Sequence, residues 1–323
     1  MKPSIFVAKL IPDSGLSLLR AFGEVRIGRE IGPIPAEEIV AGAADCQGLV
    51  VTPSESITKA ILDRLKHLTA VSTFSVGFNH IDIAECTRRR IGVGHTPDVL
   101  TDATAELAMT LILAVARRVV EGDRLVREKR WHGWEPMDFL GSPVTGKILG
   151  IIGAGRIGTR VAEMARGFNM PILYTARGPK PDLERACGAR LVKLPELLQQ
   201  ADFVSIHAPL TVETRHLIGP VQLAMMKPGA FLINTSRGPV VDEKALLEAL
   251  QKKIIAGCGL DVYEDEPRLT PGLADMPNAV LLPHVGSATM ETRSKMAVMA
   301  AENLIAAIRG VRPPHCVNPE VYR

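Results

Sequence analysis

A strand, a glycine-rich turn and a helix follow one another directly from Lys147, and no other feature constrains the fold as strongly. The segment reads KILGIIGAGRIGTRVAEMARGF, with glycines at Gly153, Gly155 and Gly158. At this spacing the first glycine allows a tight turn, the second lets a pyrophosphate approach the backbone, and the third lets helix and strand pack closely. Free N–H groups at the start of the helix attract phosphate. The run therefore predicts a dinucleotide-binding loop.

Strand-like and helix-like segments alternate along the whole chain. Short segments such as SIFVAK, EVRIGR and DFVSIHAP are separated by helical patterns such as PAEEIVAGAA, and this alternation predicts mostly parallel sheets with helices on both faces. The segment TDATAELAMTLILAVARRVVEGDRLVREKR, from Thr101, predicts one long helix. Its apolar first half must be buried in a core or against another subunit. Because the alternation restarts after this helix, we predict an α/β fold with two doubly wound, Rossmann-like units.

The composition is that of an ordinary globular protein. Of 323 residues, 46 % are hydrophobic and 23 % are charged, and the formal net charge is +3, so neither nucleic-acid nor membrane binding is expected. The five cysteines are scattered and never form a CxxC pair, which argues against a disulfide framework and against a metal site. The longest apolar run, LAMTLILAVA, covers about half of a membrane span. We therefore expect a cytoplasmic protein.

The strand end that should lie beside the adenosine ribose carries basic residues where a carboxylate is usual. A site for NAD normally places Asp or Glu about twenty residues after the glycine run, where it binds the ribose hydroxyls. Here the sequence is YTARGPKP, which includes Thr175, Arg177, Gly178 and Lys180. Since a planar guanidinium pairs well with a 2′-phosphate, the loop predicts NADP(H), with weaker use of NAD(H). A solvated basic loop is the structural alternative.

Three further segments stand at predicted strand ends and carry one side chain each that suits proton and charge transfer. They are LINTSRGPVVDE with Arg237, GLDVYEDEP with Glu266, and LLPHVGSAT with His284. Ligands of open α/β sheets bind beyond the carboxyl ends of the strands, so these residues are expected to converge. Arg binds a carboxylate, His moves a proton, and Glu orients the His. Taken singly, they also fit a surface ion pair, an acidic turn and a core histidine.

In combination, these motifs resemble the D-isomer-specific 2-hydroxyacid dehydrogenases over almost the whole chain. Together with STFSVGFNHID and HTPDVLTDATAELAMTLILAVARR, they are most similar to the glyoxylate/hydroxypyruvate reductase branch. The resemblance implies a substrate-binding domain formed by residues 1–98 and 287–323, and an inserted NADP-binding Rossmann domain, 99–286. It also implies a homodimer, with the long helix from Thr101 as the contact element.

The resemblance further assigns roles to residues of this sequence. Arg237, Glu266 and His284 match the catalytic residues of the family. The substrate-binding set comprises Val51, Val76, Gly77, Trp134, Arg237, His284 and Ser287. The cofactor-binding set comprises Thr104, Gly153, Gly155, Arg156, Ile157, Gly158, Thr175, Arg177, Gly178, Lys180, Pro209, Thr235, Asp261 and Gly286. Trp134 either reaches the neighbouring subunit's pocket or packs in the dimer interface.

The activity implied by the resemblance is NADPH-dependent reduction of 2-oxo acids, glyoxylate to glycolate and hydroxypyruvate to D-glycerate, with His284 as the general acid. One alternative is an NAD-linked dehydrogenase of D-lactate, D-glycerate or 3-phosphoglycerate. Another is a dinucleotide-sensing binding protein of the co-repressor type, without enzymatic activity. The sequence leaves open which 2-oxo acid is preferred and in which direction the reaction runs.

Overall fold

A computed structural model describes residues 2–323. The chain up to Leu100 forms one compact unit together with Ser287–Arg323, and Thr101–Gly286 form a second unit. The chain therefore leaves the first unit two residues later than the boundary predicted at Asp98 and returns to it at Ser287.

The strands and helices alternate as the sequence patterns predict. The strands are β1 (Ser4–Lys9), β2 (Glu24–Arg29), β3 (Gly48–Val51), β4 (Ala70–Thr73), β5 (Gly92–Gly94), β6 (Leu149–Ile152), β7 (Ile172–Thr175), β8 (Arg190–Leu191), β9 (Phe203–Ile206), β10 (Phe231–Asn234), β11 (Gly257–Leu260) and β12 (Ala279–Leu281). The helices are α1 (Asp13–Phe22), α2 (Ala36–Ala43), α3 (Lys59–Leu62), α4 (Ile83–Arg88), α5 (Thr101–Ala116), α6 (Val119–Arg127), α7 (Arg156–Ala165), α8 (Pro181–Cys187), α9 (Leu194–Gln200), α10 (Pro220–Met225), α11 (Glu243–Gln251) and α12 (Met290–Ile308).

The first unit is a five-stranded parallel sheet covered on both faces. Its strand order is β2-β1-β3-β4-β5. Alternate residues of β1 enter opposite cores, because successive side chains of a strand point to opposite faces. Ile5 and Val7 pack with residues of α1 and α12, whereas Phe6 and Ala8 pack with residues of α2 and α3. The nearly continuous apolar strand is thus explained by burial on both sides.

The second unit is a seven-stranded parallel sheet in the order β12-β11-β10-β9-β6-β7-β8. The strand order reverses between β6 and β9, which is the switch point where doubly wound sheets bind dinucleotides. Because all strands are parallel, the loops that follow them lie along one edge of this sheet. The α/β fold with two doubly wound sheets is confirmed.

The prediction of a single long helix from Thr101 is wrong, because the helix is interrupted between α5 and α6. Arg118 has a left-handed backbone, with φ 54°. The carbonyl of Ala116 accepts a hydrogen bond from the N–H of Ser142 at 2.8 Å, so a returning loop occupies an acceptor that a continuing helix would use. α5 buries its apolar side chains in its own unit, as the prediction allowed, whereas α6 has no buried residue.

No helix of residues 2–323 combines the length and the apolar character that crossing a membrane requires.

Candidate active site at the strand ends

The glycine loop after β6 has the geometry that its spacing predicts. Gly153 has φ +96°, and a Cβ there would lie 2.7 Å from the backbone nitrogen of Ala208, in the segment after β9. A Cβ on Gly158 would lie 2.3 Å from the carbonyl oxygen of Gly153, so this glycine allows α7 to pack against the turn. A Cβ on Gly155 would meet nothing within 4 Å. Protein packing therefore does not require Gly155 to be a glycine, but a ligand in that space would.

A second feature of the same edge fits a bound dinucleotide. Thr235 follows β10, and its Oγ1 is buried with no hydrogen-bond partner within residues 2–323. Leaving a buried hydroxyl unpaired costs free energy, and a polar ligand at this edge would provide the missing partner. The open space at Gly155 and the unpaired hydroxyl of Thr235 together support a cofactor along this edge. Arg156 and Ile157, predicted to contact that cofactor, begin α7.

The basic loop after β7 is anchored at one end by a tyrosine that the sequence analysis did not single out. Tyr174 donates its hydroxyl proton to Glu184 and accepts a hydrogen bond from the backbone N–H of Lys180 at 2.7 Å. The side chains of Arg177 and Lys180 are exposed. Neither forms an ion pair within the part of the chain that the structure describes, so both charges are available to a ligand.

The segment after β9 contributes a histidine without charge. His207 Nε2 lies 2.8 Å from Ser205 Oγ, and burial lowers the pKa of His207 to about 4. Its imidazole is therefore neutral at physiological pH and adds no charge to this edge. Pro209, predicted to contact the cofactor, is exposed, and its carbonyl accepts a 2.6 Å hydrogen bond from Thr214.

Asp261 and Thr104 fasten the segment that follows β12. The carboxylate of Asp261 accepts hydrogen bonds from the N–H groups of Val285 at 2.7 Å and Gly286 at 2.8 Å. Thr104 Oγ1 donates to the carbonyl of Gly286 at 3.1 Å. Burial raises the pKa of Asp261, although both N–H groups favour its ionised form. Three residues predicted to contact the cofactor therefore also fix the chain directly after His284.

His284 and Glu266 form a hydrogen-bonded pair. His284 Nδ1 lies 2.8 Å from Glu266 Oε2, and Glu266 Oε1 accepts a 3.0 Å hydrogen bond from the N–H of Tyr263. About one third of each of the two paired side chains is exposed, 34 % for His284 and 35 % for Glu266. Burial opposes ionisation of Glu266, but the bond to His284, the N–H of Tyr263 and the charge of Arg237 outweigh it, so its pKa is lowered.

Arg237 is placed by a tight turn after β10. The amide of Asn234, which is buried, donates to the carbonyl of Arg237 at 3.0 Å and accepts from the N–H of Ser236 at 3.0 Å. The guanidinium donates from Nη1 to the carbonyl of Ser236 at 2.8 Å. Burial lowers the pKa of Arg237, and the carboxylate of Glu266 acts in the opposite direction. Because an ordinary Arg pKa lies far above neutrality, the side chain keeps its charge.

Gly238 brings the segments after β10 and β11 together. A Cβ at this position would lie 1.8 Å from the carbonyl carbon and oxygen of Tyr263, so no other residue fits without moving the backbone. Glu243 then secures the second segment, because its carboxylate accepts hydrogen bonds from the N–H groups of Glu264 at 2.9 Å and Thr270 at 3.1 Å. The segment that carries Glu266 is therefore fixed before that residue, at Tyr263 and Glu264, and after it, at Thr270.

The predicted substrate-binding residues of the first unit lie at the end of β3, in the loop after β4 and just before α12. Val51 is fully buried in β3, and its carbonyl accepts a 2.8 Å hydrogen bond from the N–H of Phe74. Its backbone therefore anchors the loop that begins at Phe74, and its side chain is not exposed. Val76 and Gly77 lie in that loop and are half-buried. Ser287 accepts a 2.8 Å hydrogen bond from the N–H of Thr289, immediately before α12.

Trp134 lies in the second unit, in the segment after α6, and 81 % of its surface is exposed. Nothing in the part of the chain that the structure describes covers this side chain.

Comparison with known proteins identifies the family. The family model described as "D-isomer specific 2-hydroxyacid dehydrogenase, NAD binding domain" matches residues 109–286, which lie within the second unit. The chain is a D-isomer-specific 2-hydroxyacid dehydrogenase by family. As a member of this family it is an NAD(P)-dependent oxidoreductase, and both the predicted family and the predicted class of enzyme are confirmed.

Three relatives of this 2-hydroxyacid dehydrogenase cover nearly all of both chains. A glyoxylate reductase from Thermococcus litoralis is 45 % identical over 325 residues, covering 99 % of this chain and 98 % of the relative. The crystal structure of a protein from Thermus thermophilus has a TM-score of 0.91 at 44 % identity, covering 97 % and 99 %. The NADPH-dependent glyoxylate/hydroxypyruvate reductase from Sinorhizobium meliloti, in complex with NADP and malonate, has a TM-score of 0.88 at 31 % identity, covering 100 % and 99 %.

The roles given to individual residues of this 2-hydroxyacid dehydrogenase stay predictions. The structure places the glycine loop, Arg177, Thr235 and Asp261 along one sheet edge, and it pairs Glu266 with His284. No cluster of three or more His, Cys, Asp or Glu side chains suited to a metal ion occurs in residues 2–323.

Proposed function

We propose that this protein reduces small 2-oxo acids, glyoxylate to glycolate and hydroxypyruvate to D-glycerate, with NADPH as the preferred cofactor. The observation that carries the proposal is the 2.8 Å hydrogen bond between His284 Nδ1 and Glu266 Oε2, at the strand-end edge of an NAD-binding unit. Relatives named glyoxylate reductase match the chain over its full length, which supports glyoxylate as a substrate.

The bound cofactor supplies a hydride to C2 of the 2-oxo acid. His284 donates the proton that the carbonyl oxygen needs as the hydride arrives. Because a carboxylate can only accept hydrogen bonds, Nδ1 of His284 carries a hydrogen towards Glu266, and Nε2 is the nitrogen that serves the substrate. The hydrogen bond to Glu266 fixes the tautomer and the orientation of the imidazole, so that Nε2 stays directed at the substrate.

Arg237 has the role of binding the substrate carboxylate and stabilising negative charge on the adjacent oxygen. Its forked guanidinium suits both tasks, and the turn at Asn234 together with Gly238 keeps it close enough to Glu266 for their charges to interact. As the family resemblance implies, the backbone N–H groups of Val76 and Gly77 are further donors to the carboxylate.

The preference for NADPH follows from Arg177 and Lys180. Both side chains are exposed, and the segment from Thr175 to Lys180 contains no carboxylate that would repel a 2′-phosphate. The relative from Sinorhizobium meliloti is named NADPH-dependent, which supports the same preference here. NAD(H) should be used less efficiently, since the ribose hydroxyls can still bind Thr175 or water.

We further propose a cytoplasmic homodimer in which α6 and the segment carrying Trp134 meet a second copy of the chain. Val119, Val120 and Val126 are 54 %, 45 % and 57 % exposed on α6. An exposed apolar strip of this kind is typical of a protein interface. In the dimer, Trp134 either enters the partner's pocket or packs in the interface.

One assay tests the proposed reaction. Mixing the protein with glyoxylate and NADPH should lower the absorbance of the reduced nicotinamide, and hydroxypyruvate should do the same. The control omits the 2-oxo acid. If the protein binds the dinucleotide but turns over neither substrate with NADPH or NADH, the proposal is wrong and a dinucleotide-sensing protein is the better interpretation.

A further inference from the structure

In the loop after β4, three successive backbone carbonyl groups each accept a hydrogen bond from another protein group. The carbonyl of Ser75 accepts a hydrogen bond from the N–H of Thr96 at 2.8 Å. The carbonyl of Val76 accepts from His95 Nδ1 at 2.8 Å, and the carbonyl of Gly77 accepts from Ser75 Oγ at 2.6 Å. The ring of His95 also meets Phe78 edge to face, with centroids 5.6 Å apart. The peptide planes of the loop are therefore fixed one by one.

Fixing these carbonyls also directs the N–H groups of the loop. In a planar trans peptide the N–H points away from the C=O. Holding the carbonyl of Ser75 thus turns the N–H of Val76 away from Thr96, and holding the carbonyl of Val76 turns the N–H of Gly77 away from His95. Within residues 2–323, neither N–H donates to a protein group. Both therefore remain available to a ligand.

The bond to Gly77 is the last link of a hydrogen-bond chain that has only one possible direction. Ser75 Oγ lies 2.7 Å from Thr73 Oγ1, which lies 3.0 Å from His80 Nε2. Ser75 has one hydroxyl hydrogen and gives it to the Gly77 carbonyl, so it must accept from Thr73. Thr73 has then used its own hydrogen and must accept from His80. His80 therefore carries a hydrogen on Nε2, and His95 carries one on Nδ1.

We propose that His80 and His95 are positioning residues for the loop whose Val76 and Gly77 N–H groups bind the substrate carboxylate; this inference rests on the proposed function. His95 holds the Val76 carbonyl directly. His80 acts through the hydroxyls of Thr73 and Ser75 on the Gly77 carbonyl, which fixes the next peptide plane, between Gly77 and Phe78, and so holds Gly77 in place from its other side. Successive hydrogen bonds in one direction strengthen each other. Removing the Thr73 hydroxyl therefore weakens the whole chain of hydrogen bonds from His80 to Gly77.

Steady-state kinetics on four variants tests the proposed role. Thr73→Val removes the hydroxyl that links His80 to Ser75 and preserves the shape of the side chain. We expect its KM for glyoxylate to rise about tenfold, with kcat within about twofold and NADPH affinity unchanged, because a lost ground-state contact to substrate affects KM. Thr73→Ser should restore the parent KM. Ser75→Ala breaks the chain one link later and should reproduce the defect if Thr73→Val does not fold.

Ser72→Ala is the matched control. Ser72 is the neighbouring residue of β4, is fully buried, and its hydroxyl has no hydrogen-bond partner within residues 2–323. Its removal should leave KM unchanged. A parent-like KM in Thr73→Val and Ser75→Ala, or an equal rise in Ser72→Ala, would overturn the proposal. So would a Thr73→Ser variant as defective as Thr73→Val.

NMR of the parent protein separates this inference from the proposed reaction. ¹⁵N–¹H spectra distinguish imidazole tautomers, and His80→Gln and His95→Gln assign the two signals. We expect a hydrogen on Nε2 of His80 and on Nδ1 of His95 whether or not glyoxylate is a substrate. Either nitrogen found without its hydrogen would overturn the hydrogen-bond chain. Failure of the parent to reduce any 2-oxo acid, with both tautomers as expected, would instead refute only the proposed reaction and the loop's part in it.

Discussion

His284 has a backbone conformation that non-glycine residues seldom adopt. Its φ is 55°, in a region that costs most L-residues about 1–2 kcal/mol. The two hydrogen bonds from Val285 and Gly286 to Asp261 hold the chain immediately after it. Strain of this kind persists only where the surrounding structure enforces it, and it is most common at functional sites. The strained backbone therefore supports a functional role for the imidazole.

Replacing His284 tests that role without disturbing the backbone. His284→Asn is the suitable change, because Asn tolerates left-handed φ values better than other non-glycine residues. Loss of the general acid should reduce kcat for glyoxylate by about 10²–10⁴-fold, while NADPH affinity, measured by fluorescence titration, stays close to that of the parent. Near-parental turnover would show that another group supplies the proton.

Arg177 and Lys180 should determine the choice of cofactor. Charge-assisted hydrogen bonds to a phosphate contribute about 1.5–3 kcal/mol each, and a tenfold preference needs about 1.4 kcal/mol. We therefore expect the parent to favour NADPH over NADH in kcat/KM by at least about tenfold. Arg177→Ala with Lys180→Ala should abolish most of that preference.

The matched control for the cofactor experiment is Lys244→Ala, since Lys244 is exposed on α11. It should leave the ratio of the two kcat/KM values unchanged. A parent that favours NADH, or a double variant with the parental ratio, contradicts the assignment of the loop after β7.

For single residues, the sequence indicates which functional side chains follow the strand ends. It does not indicate which residues fix those side chains in place. Arg237, Glu266 and His284 each follow a recognisable strand, so their convergence is predictable from parallel topology. Asn234 and Glu243 act through backbone groups, and two of the partners of Glu243, Glu264 and Thr270, lie more than twenty residues away. No local pattern marks such contacts, because they depend on how loops meet in three dimensions.

Among the elements, the contact between the segments after β10 and β11 depends on Gly238. We expect Gly238→Ala to lower both the free energy of unfolding and kcat/KM for glyoxylate, because the new Cβ would overlap the Tyr263 carbonyl and separate Arg237 from Glu266. Overpacking typically costs about 1–3 kcal/mol, measurable by urea denaturation.

Gly229→Ala is the control for that overlap, since a Cβ there meets nothing within 4 Å. It should leave activity at the parental level. If Gly238→Ala is as active and as stable as Gly229→Ala, the close approach of the two segments is not needed.

Helix α4 should lose stabilisation in acid. Arg88 and Arg89 hydrogen-bond to the carboxylate of Glu85 and lower its pKa from 4.5 to about 2. Since the folded pKa lies below the unfolded value, the stabilisation is complete above the unfolded pKa and is lost as the pH falls through the folded pKa. Glu85→Gln should therefore destabilise the protein at neutral pH, and its difference from the parent should shrink on acidification.

Urea unfolding at several pH values from neutral down to about pH 3 measures this difference. Glu30→Gln, at an exposed carboxylate that follows β2, controls for the loss of one charge. A difference between Glu85→Gln and the parent that stays constant over the whole range would show that the ion pairs contribute nothing through Glu85.

Most strands and helices are predictable from local sequence patterns. The wrong prediction of one long helix from Thr101 shows the limit of such patterns. Short apolar strands and the glycine turn are local signals, and they appear where the sequence places them. The break after Ala116 has no such signal, because the competing donor, the N–H of Ser142, is supplied by a segment that returns from far along the chain. Helical periodicity continues through a position where a tertiary contact ends the helix.

At the scale of the whole molecule, the exposed apolar strip of α6 predicts self-association. Val120→Glu with Val126→Glu should convert a dimer into a monomer, because two charges would be buried at the interface. Light scattering after gel filtration should give twice the chain mass for the parent and the single-chain mass for the variant. Val212→Glu, at a side chain 92 % exposed in another part of the unit, should remain dimeric. A monomeric parent would contradict the proposed homodimer.

The hydrogen bond from Thr104 to Gly286 has a consequence for how the second unit is inserted into the chain. Thr104 lies three residues after the start of the second unit and Gly286 is its last residue, so the 3.1 Å bond between them brings the entry and exit of that unit together. A segment whose two ends meet can be spliced into a host loop, or exchanged for another such segment, without stretching the host. The dinucleotide-binding unit of this enzyme is in that sense an exchangeable module, whose two ends are joined by the hydrogen bond of Thr104.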